Sequence, residues 1–406
     1  MSHEYEFLTE ANIGEYITAH PELQQRIDGS ALAEIREIGD GNLNLVFHVR
    51  DTAGRSLILK QALPYVRMTG EGWPMTPDRA RREAESLVSH HAIIPHLVVE
   101  VVKYDHDRYI LALEDLSDHR VWRGALNDGE CHEGVAVELG HYVAGVAIGT
   151  SVLGQSRGEV ADTAARSQNA ELCVITEDLV FTEPVFDIGR NVVLPENEAD
   201  AAALATDAIF ATAMSEAKWR FMTRAEALIH GDLHTGSVMV RGTGRRGEAT
   251  ESVKVFDSEF AFYGPVAFDL GALFANYAFA AARAVALGDD ERAAWALSLI
   301  EQTWTGFEDA YLAAAANWQE TKLFDEAFAR RRVAAILQES ALFASAKMAR
   351  RIVGAAKVAD IETLEPTLRA PAARSVLAAA RALAAEWTDV ARISDIHGIL
   401  QTSLLS

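Results

Sequence analysis

The sequence has few cysteines, few basic residues relative to acidic ones, and no long apolar run. Its 406 residues include two cysteines, Cys131 and Cys173, which lie far apart and outside any CxxC pair. This scarcity argues against a disulfide framework or a structural zinc site and favours a reducing compartment. The apolar run "VAGVAIGTSVLG" is too short for a bilayer span, which needs about 20 residues.

Positive charge is also scarce, with 37 Lys and Arg against 59 Asp and Glu, a net charge of -22. Such a chain is a poor partner for nucleic acid or an anionic membrane, and we predict binding to neither. The acidity indicates a solvated surface, or would suit a cationic substrate. The first twenty residues are polar and acidic, so we expect no secretory signal and a cytoplasmic protein.

The chain is too long for one small core, which predicts two domains. Up to about Leu116 the pattern is of strands and turns, with an alternating run from Asn44 to Val49. From Ser117 onward, alanine- and leucine-rich amphipathic segments predict helices, interrupted by a β-like island, Ala227 to Gly264. We therefore predict an α+β fold with a small β-rich domain, residues 1–116, and a large mostly helical domain, residues 117–406. The main predicted helices are 134–153, 198–225, 269–287, 290–318, 324–356 and 366–392.

A glycine-containing stretch, "GDGNLN", resembles a phosphate-binding loop. A dinucleotide-binding fold would continue into a helix, but "LVFHV" follows and alternates as a strand does. A strand–loop–strand hairpin is how protein kinases place backbone amides over ATP phosphates. The sequence has no GxxxxGK[ST] motif, which excludes a P-loop. The candidate ATP-binding residues here are Gly39, Asp40, Gly41, Asn42 and Asn44.

Lys60 ends the predicted strand "LILK", and a helix carrying Glu83 and Glu85 follows. A lysine at a strand end is usually just solvated. After a glycine hairpin, however, it fits a kinase-like site, in which a lysine contacts the phosphates and a helix carboxylate holds it. Glu85 faces another side of the helix, so Glu83 is the predicted partner.

The segment "HGDLHTGS" supplies a candidate catalytic base, Asp232, which follows His230 as aspartate follows histidine in the kinase motif H-R-D. Downstream, Asp257 and Glu259 stand two residues apart. On an extended strand, residues i and i+2 share a face, so both carboxylates could bind one Mg2+ ion. Each of these motifs alone is weak evidence of function, but the order of the glycine hairpin, the lysine, the helix glutamate, the HGD loop and the acidic pair along the chain predicts ATP-dependent phosphoryl transfer.

"HGDLHTGS" and "DSEFAFYGPVAFDLGA" together resemble the 5-methylthioribose kinase family, in the aminoglycoside-phosphotransferase-like branch of the protein kinase fold. The resemblance runs from about residue 10 to residue 360. It implies a bilobal protein-kinase-like fold with a small β-rich N-lobe and a large helical C-lobe. It also implies ATP and Mg2+ as cofactors, phosphorylation of the 1-hydroxyl of S-methyl-5-thioribose in methionine salvage, and a homodimer.

The resemblance further implies a role for each matching residue. Asp232 would activate the sugar, with Leu233 and the twin arginines Arg350 and Arg351 beside it. Lys60 would contact the ATP phosphates, the main chain of Glu114 and Leu116 would hold the adenine, and the loop with Trp73 and Pro74 would close over the nucleotide. Asp257 and Glu259 would bind magnesium, with Ser237 in the position where broader relatives have a metal-binding asparagine.

Two residues depart from the pattern of this family, and both affect which sugar is expected to accept the phosphoryl group. Ser258 replaces the usual proline between the two acidic residues, and Ala267 stands where glycine is common. A kinase for another 5-modified ribose or for an aminoglycoside is therefore an open alternative. A catalytically silent, ATP-binding pseudokinase is another, although retention of Lys60, Asp232 and the acidic pair argues against it.

Overall fold

A computed structural model describes residues 5–38, 44–65 and 74–405. The chain divides into two compact units. The first unit runs to His119 and also takes in Lys254–Ala261; the second comprises Arg120–Val253 and the chain from Phe262 onward. Among the described helices, none is long and apolar enough to span a membrane.

The first unit is built on a five-stranded antiparallel sheet with the strand order β1 (Leu32–Glu37), β2 (Asn44–Asp51), β3 (Ser56–Ala62), β5 (Ile110–Leu113) and β4 (Val101–Asp105). Pairing of β1 with β2 confirms the predicted hairpin, although Gly39, Asp40, Gly41 and Asn42 lie outside the described residues. Its elements are α1 (Ile13–Ala19), α2 (Pro21–Gln24), β1 (Leu32–Glu37), β2 (Asn44–Asp51), β3 (Ser56–Ala62), α3 (Arg79–Ile93), β4 (Val101–Asp105) and β5 (Ile110–Leu113).

The direction of Lys60 follows from the alternation of β3. Leu57 and Leu59 belong to an apolar cluster that includes Ile13 and Ile17 of α1. Because successive side chains on a strand point to opposite faces, Lys60 leaves the sheet on the other face. That face is the one covered by α3.

The second unit is mostly helical, with short strands around the β-like island, as predicted. The chain passes from the second unit back into the first at Lys254, within the strand Ser252–Val255. The elements are β6 (Arg120–Val121), α4 (Trp122–Asn127), α5 (Val135–Gly149), α6 (Arg157–Arg166), α7 (Ala170–Thr176), α8 (Glu198–Ala205), α9 (Ala208–Thr223), β7 (Ala227–Ile229), β8 (Val238–Arg241), β9 (Ser252–Val255), β10 (Phe262–Gly264), α10 (Ala267–Ala286), α11 (Asp290–Ala314), α12 (Glu326–Val353), α13 (Ala359–Glu362), α14 (Pro366–Glu386) and α15 (Ile393–Leu404).

The predicted helix 198–225 is wrong in one respect, because it is divided into α8 and α9. Asp207 lies at the break, and its carboxylate accepts hydrogen bonds from the amides of Ile209 and Phe210. This is an N-cap, which starts a new helix by satisfying amides that have no partner within it.

Helix α10 is the centre of the second unit. Its sequence, "AFDLGALFANYAFAAARAVA", is apolar on nearly every side, and almost all of its residues are buried. A helix that is apolar all round needs neighbours on every side. It packs against α11, α12 and α14, so its position is fixed by the core.

Helices α5 and α11 approach closely through two glycines. A Cβ atom added to Gly140 would collide with the carbonyl oxygen of Thr303, and one added to Gly306 would collide with that of Val137. The absence of side chains at these two positions therefore sets the distance between the helices.

We expect Gly140→Ala to lower the free energy of unfolding by about 1–3 kcal/mol, because the added methyl overpacks a backbone contact. Urea denaturation measures the loss. Gly398→Ala is the matched control: nothing lies within 4 Å of its added Cβ, and alanine favours the helix. Equal effects of the two substitutions would contradict the packing argument.

Candidate active site

In the first unit, Lys60 lies between carboxylates from two other parts of the chain. Its Nζ atom is 2.8 Å from Oε1 of Glu83 and also donates to Oδ1 of Asp257. The buried face of α3 carries Arg79 and Glu83 at i and i+4. Glu85 is instead more exposed and pairs with Arg81 on the same helix.

Three carboxylates converge around this lysine. One ligand oxygen from each of Glu83, Asp257 and Glu259 lies within 4.8 Å of the others. Arg79 Nε is 3.2 Å from Oε2 of Glu259, and Asn44 Nδ2 donates to the same oxygen over 3.4 Å. The predicted ATP-binding residue Asn44 is thus held next to the acidic group.

The predicted extended geometry of Asp257 and Glu259 is wrong. Strand β9 ends at Val255, and Asp257 has a φ of 66°, in the left-handed region. Ser258 between them is buried, with its Oγ 2.6 Å from Oγ of Ser86 on α3. A turn anchored to α3 therefore brings the carboxylates together, where strand alternation had been expected.

The charged groups of this cluster shift one another's pKa values. Burial raises the pKa of Glu83 to about 7, against the opposing effect of Lys60, and burial likewise raises the pKa of Glu259. Burial lowers the pKa of Lys60, but Asp257, Glu83 and Glu259 outweigh it and the net shift is upward. Since three carboxylates face two cations, Lys60 and Arg79, a divalent cation would offset the remaining repulsion. Carboxylate oxygens are ligands that Mg2+ accepts, so these residues fit that metal.

In the second unit, the loop after β7 is anchored by Asp269 on α10. The Asp269 carboxylate accepts hydrogen bonds from the amides of His230, over 2.8 Å, and Gly231, over 3.1 Å. Gly231 has a φ of 80°, which favours glycine. The central helix thereby fixes the backbone that presents Asp232.

The Asp232 carboxylate has a cation on one side and an imidazole on the other. Lys347 Nζ is 2.9 Å from its Oδ1, and His234 Nε2 is 3.4 Å from its Oδ2. Burial raises the pKa of Asp232, but Lys347 and His234 outweigh burial and hold it well below its usual value. Burial lowers the pKa of His234 to about 4, so its ring is neutral near pH 7. Asp232 is therefore an ionised carboxylate.

The twin arginines lie at the C-terminal end of α12. Arg350 follows Lys347 by three residues, so both lie on one face of the helix. Arg350 is buried, and its Nε has no hydrogen-bond partner within the described part of the chain. Arg351 donates from Nη1 to the Lys357 carbonyl over 3.2 Å. Burial lowers the pKa of both guanidinium groups, and Asp232 opposes this shift.

Ser237 and Leu233 are both buried in the Asp232 loop. Ser237 Oγ lies 3.2 Å from the carbonyl of Asp232 and 2.9 Å from that of His234, and accepts from the His234 amide. These contacts brace the loop. The metal-binding role of Ser237 stays a prediction.

The predicted adenine contacts lie after β5. The Glu114 amide donates to the Glu100 carbonyl, and the Leu116 carbonyl accepts from His119. Within the described part of the chain, the Glu114 carbonyl and the Leu116 amide have no such main-chain partner, so these are the groups left for an adenine base. Trp73 of the predicted closing loop lies outside the described residues, whereas Pro74 pairs with Tyr65.

Sequence reasoning missed Lys347, Asp269 and Arg79. The sequence does carry a signal for Lys347, because it lies one helical turn before the twin arginines and therefore on the same side of α12. Asp269 lies within the quoted motif "GPVAFDLGA", but nothing local shows that it binds the Asp232 loop. Arg79 precedes Glu83 by one turn of α3, and only the fold places it on Glu259.

The sequence pattern of the phosphotransferase enzyme family matches residues 34–307. The chain belongs to this family, which confirms the predicted protein-kinase-like fold and the predicted class of enzyme. A solved choline/ethanolamine kinase family protein from Mesorhizobium loti is 14% identical, with a TM-score of 0.45, covering 97% of this chain and 99% of that one.

Closer relatives lie within one group of that family. Methylthioribose kinase of Yersinia enterocolitica is 38% identical, over 97% of each chain. Methylthioribose kinase of Pectobacterium atrosepticum is 39% identical, over 87% of this chain and 88% of the relative. Within the phosphotransferases, the chain therefore belongs to the methylthioribose kinase family.

The carboxylate cluster of the first unit predicts a divalent-cation site. We expect Asp257→Asn to raise the dissociation constant for Mn2+, used in place of Mg2+, about tenfold, or about 1.4 kcal/mol. The cause is the loss of one charged oxygen ligand. Titration followed by electron paramagnetic resonance measures it, with exposed Asp309→Asn as the control. Equal affinity of both variants would argue against Asp257 as a ligand.

Proposed function

We propose that this protein transfers the γ-phosphoryl group of ATP to the 1-hydroxyl of S-methyl-5-thioribose, a step in methionine salvage. The observation that carries the proposal is Asp232, an ionised, partly buried carboxylate on a loop braced by Asp269. Such a group can accept the proton of a sugar hydroxyl. The names of the relatives support the choice of sugar.

The first unit supplies the residues proposed to bind ATP. Lys60, held by Glu83, would contact the phosphates together with the loop Gly39–Asn44. Asp257 and Glu259, with Ser237 as a further candidate ligand, would hold Mg2+, which neutralises phosphate charge when bound. The main chain of Glu114 and Leu116 would hold the adenine.

The second unit supplies the residues proposed for the transfer. The sugar 1-oxygen forms a bond to the γ-phosphorus while the bond to the β,γ-bridging oxygen breaks, and ADP leaves. The hydroxyl proton passes to Asp232. Its low pKa makes it a weak base, which suits a loose transition state in which positioning matters more than proton abstraction. Arg350 and Arg351 would offset negative charge near the phosphoryl group, and Leu233 and Arg350 would contact the sugar.

We further propose a cytoplasmic homodimer. Cys131 and Cys173 are both free thiols, as suits a reducing compartment. Helix α9 exposes Ile209, Trp219 and Met222, apolar side chains that a second copy could cover.

A coupled ADP-release assay with Mg2+-ATP and four acceptors tests the activity. We expect turnover with S-methyl-5-thioribose to exceed that with 5-deoxyribose, ribose and kanamycin by at least about 10²-fold, as expected when a pocket fits one substrate. Faster turnover with another acceptor would contradict the proposed substrate and would leave the proposed phosphoryl transfer in place. ATP binding without ADP release for any acceptor would favour the pseudokinase alternative.

Asp232→Ala removes the proposed base. We expect kcat to fall about 10²–10⁴-fold, the range for general-base groups, while the affinity for ATP stays within about twofold. Steady-state kinetics and calorimetric ATP titration measure the two quantities. Loss of ATP binding in a folded Asp232→Ala protein would contradict the assigned role.

A further inference from the structure

Lys347 is a buried ammonium group to which the reaction outlined above gives no role. Its side chain is 6% exposed, and its Nζ atom lies 4.3 Å from the centre of the Phe268 ring. Within the described residues, Asp232 is the carboxylate at salt-bridge distance, 2.9 Å away. Since a buried ammonium is costly unless it is paired, this contact and the aromatic ring explain how the fold tolerates it.

The position of Lys347 is set by the core of the second unit. It lies in α12, among residues that are buried on all sides from Ser340 to Arg350. Phe268, whose ring lies beneath the ammonium, belongs to α10 and directly precedes Asp269. Helix α10, which braces the loop backbone through Asp269, therefore also supports the ammonium that α12 places on the Asp232 side chain.

The contacts of the Asp232 carboxylate are divided between its two oxygens. Lys347 binds Oδ1, whereas Oδ2 has the weaker contact, 3.4 Å from Nε2 of His234. The Nδ1 atom of His234 accepts from the Gly236 amide over 3.0 Å, so Nε2 carries the proton of the neutral ring. The carboxylate is thus anchored through Oδ1, and Oδ2 keeps acceptor capacity.

We propose that Lys347 is a positioning residue for phosphoryl transfer, one that anchors Oδ1 of Asp232 so that Oδ2 meets the acceptor hydroxyl. The inference rests on the proposed function and deepens it. Lys347 acts through Asp232, without touching the substrate. In a loose transition state the orientation of the carboxylate governs the rate, and a displacement of about 1 Å can cost about 10²-fold.

The test compares Lys347→Met, which keeps much of the volume and removes the charge, with Lys347→Arg, which keeps the charge. We expect Lys347→Met to lower kcat about 10²-fold, while KM for ATP changes less than about twofold. The kcat of Lys347→Arg is expected to be at least about tenfold higher than that of Lys347→Met, because arginine keeps the positive charge. Arg331→Met, an exposed cation on the same helix, is the matched control and keeps the wild-type kcat.

A double-mutant cycle separates positioning from simple structural support. In the Asp232→Ala background, Lys347→Met should leave the residual rate unchanged, because the group through which it acts is gone. Additive losses, or a loss that follows the unfolded fraction in circular dichroism, would overturn the proposal. Full activity of Lys347→Met would overturn it while leaving the kinase function intact. No turnover by the wild type with any acceptor would overturn both.

Discussion

The pairing of buried charges is the constraint on which both units depend. A lysine taken out of water needs a carboxylate partner, and the penalty for losing that partner is several kcal/mol, of the order of 3–5 kcal/mol for buried pairs. In the first unit Lys60 is matched by Glu83 and Asp257. In the second unit Lys347 is matched by Asp232. Each pair joins segments that are distant in sequence, so the charges of the site also fix the packing of the elements that carry them.

Helix α10 shows how the core of the second unit serves the site. Its burial on all sides leaves it little freedom to shift, and it places Asp269 under the amides of His230 and Gly231. The same helix supplies Phe268 beneath the ammonium of Lys347. A backbone held by a buried carboxylate is pre-organised, so little reorganisation is needed when charge moves in the transition state.

Helix α12 gathers positive charge with little exposure: Lys347 and Arg350 are buried, and Arg351 is partly buried. Lys347, Arg350 and Arg351 follow one another within little more than a turn, and burial lowers the pKa of each. Water screens buried charges weakly, so their attraction for developing negative charge is stronger than on a surface. The acidic net charge of the whole chain therefore says little about this region, which is locally cationic.

The sequence by itself determined the elements whose signal is local. Alternation predicted the hairpin around the glycine loop, the strand ending near Lys60 followed from the same period, and helical spacing singled out Glu83 over Glu85. The "HGD" segment identified Asp232 because kinase loops carry that order of residues. These features need no knowledge of distant neighbours, since periodicity alone shows which face a residue occupies.

Only the tertiary structure decided which distant residues meet. The left-handed turn at Asp257 replaces the expected strand, because the buried Ser258 bonds Ser86 on α3. Lys347 and Asp269 acquired roles only when α12 and α10 were packed against the Asp232 loop. A helical pattern shows that a side chain is buried, but the partner it is buried against depends on the stacking of whole helices, which no short segment encodes.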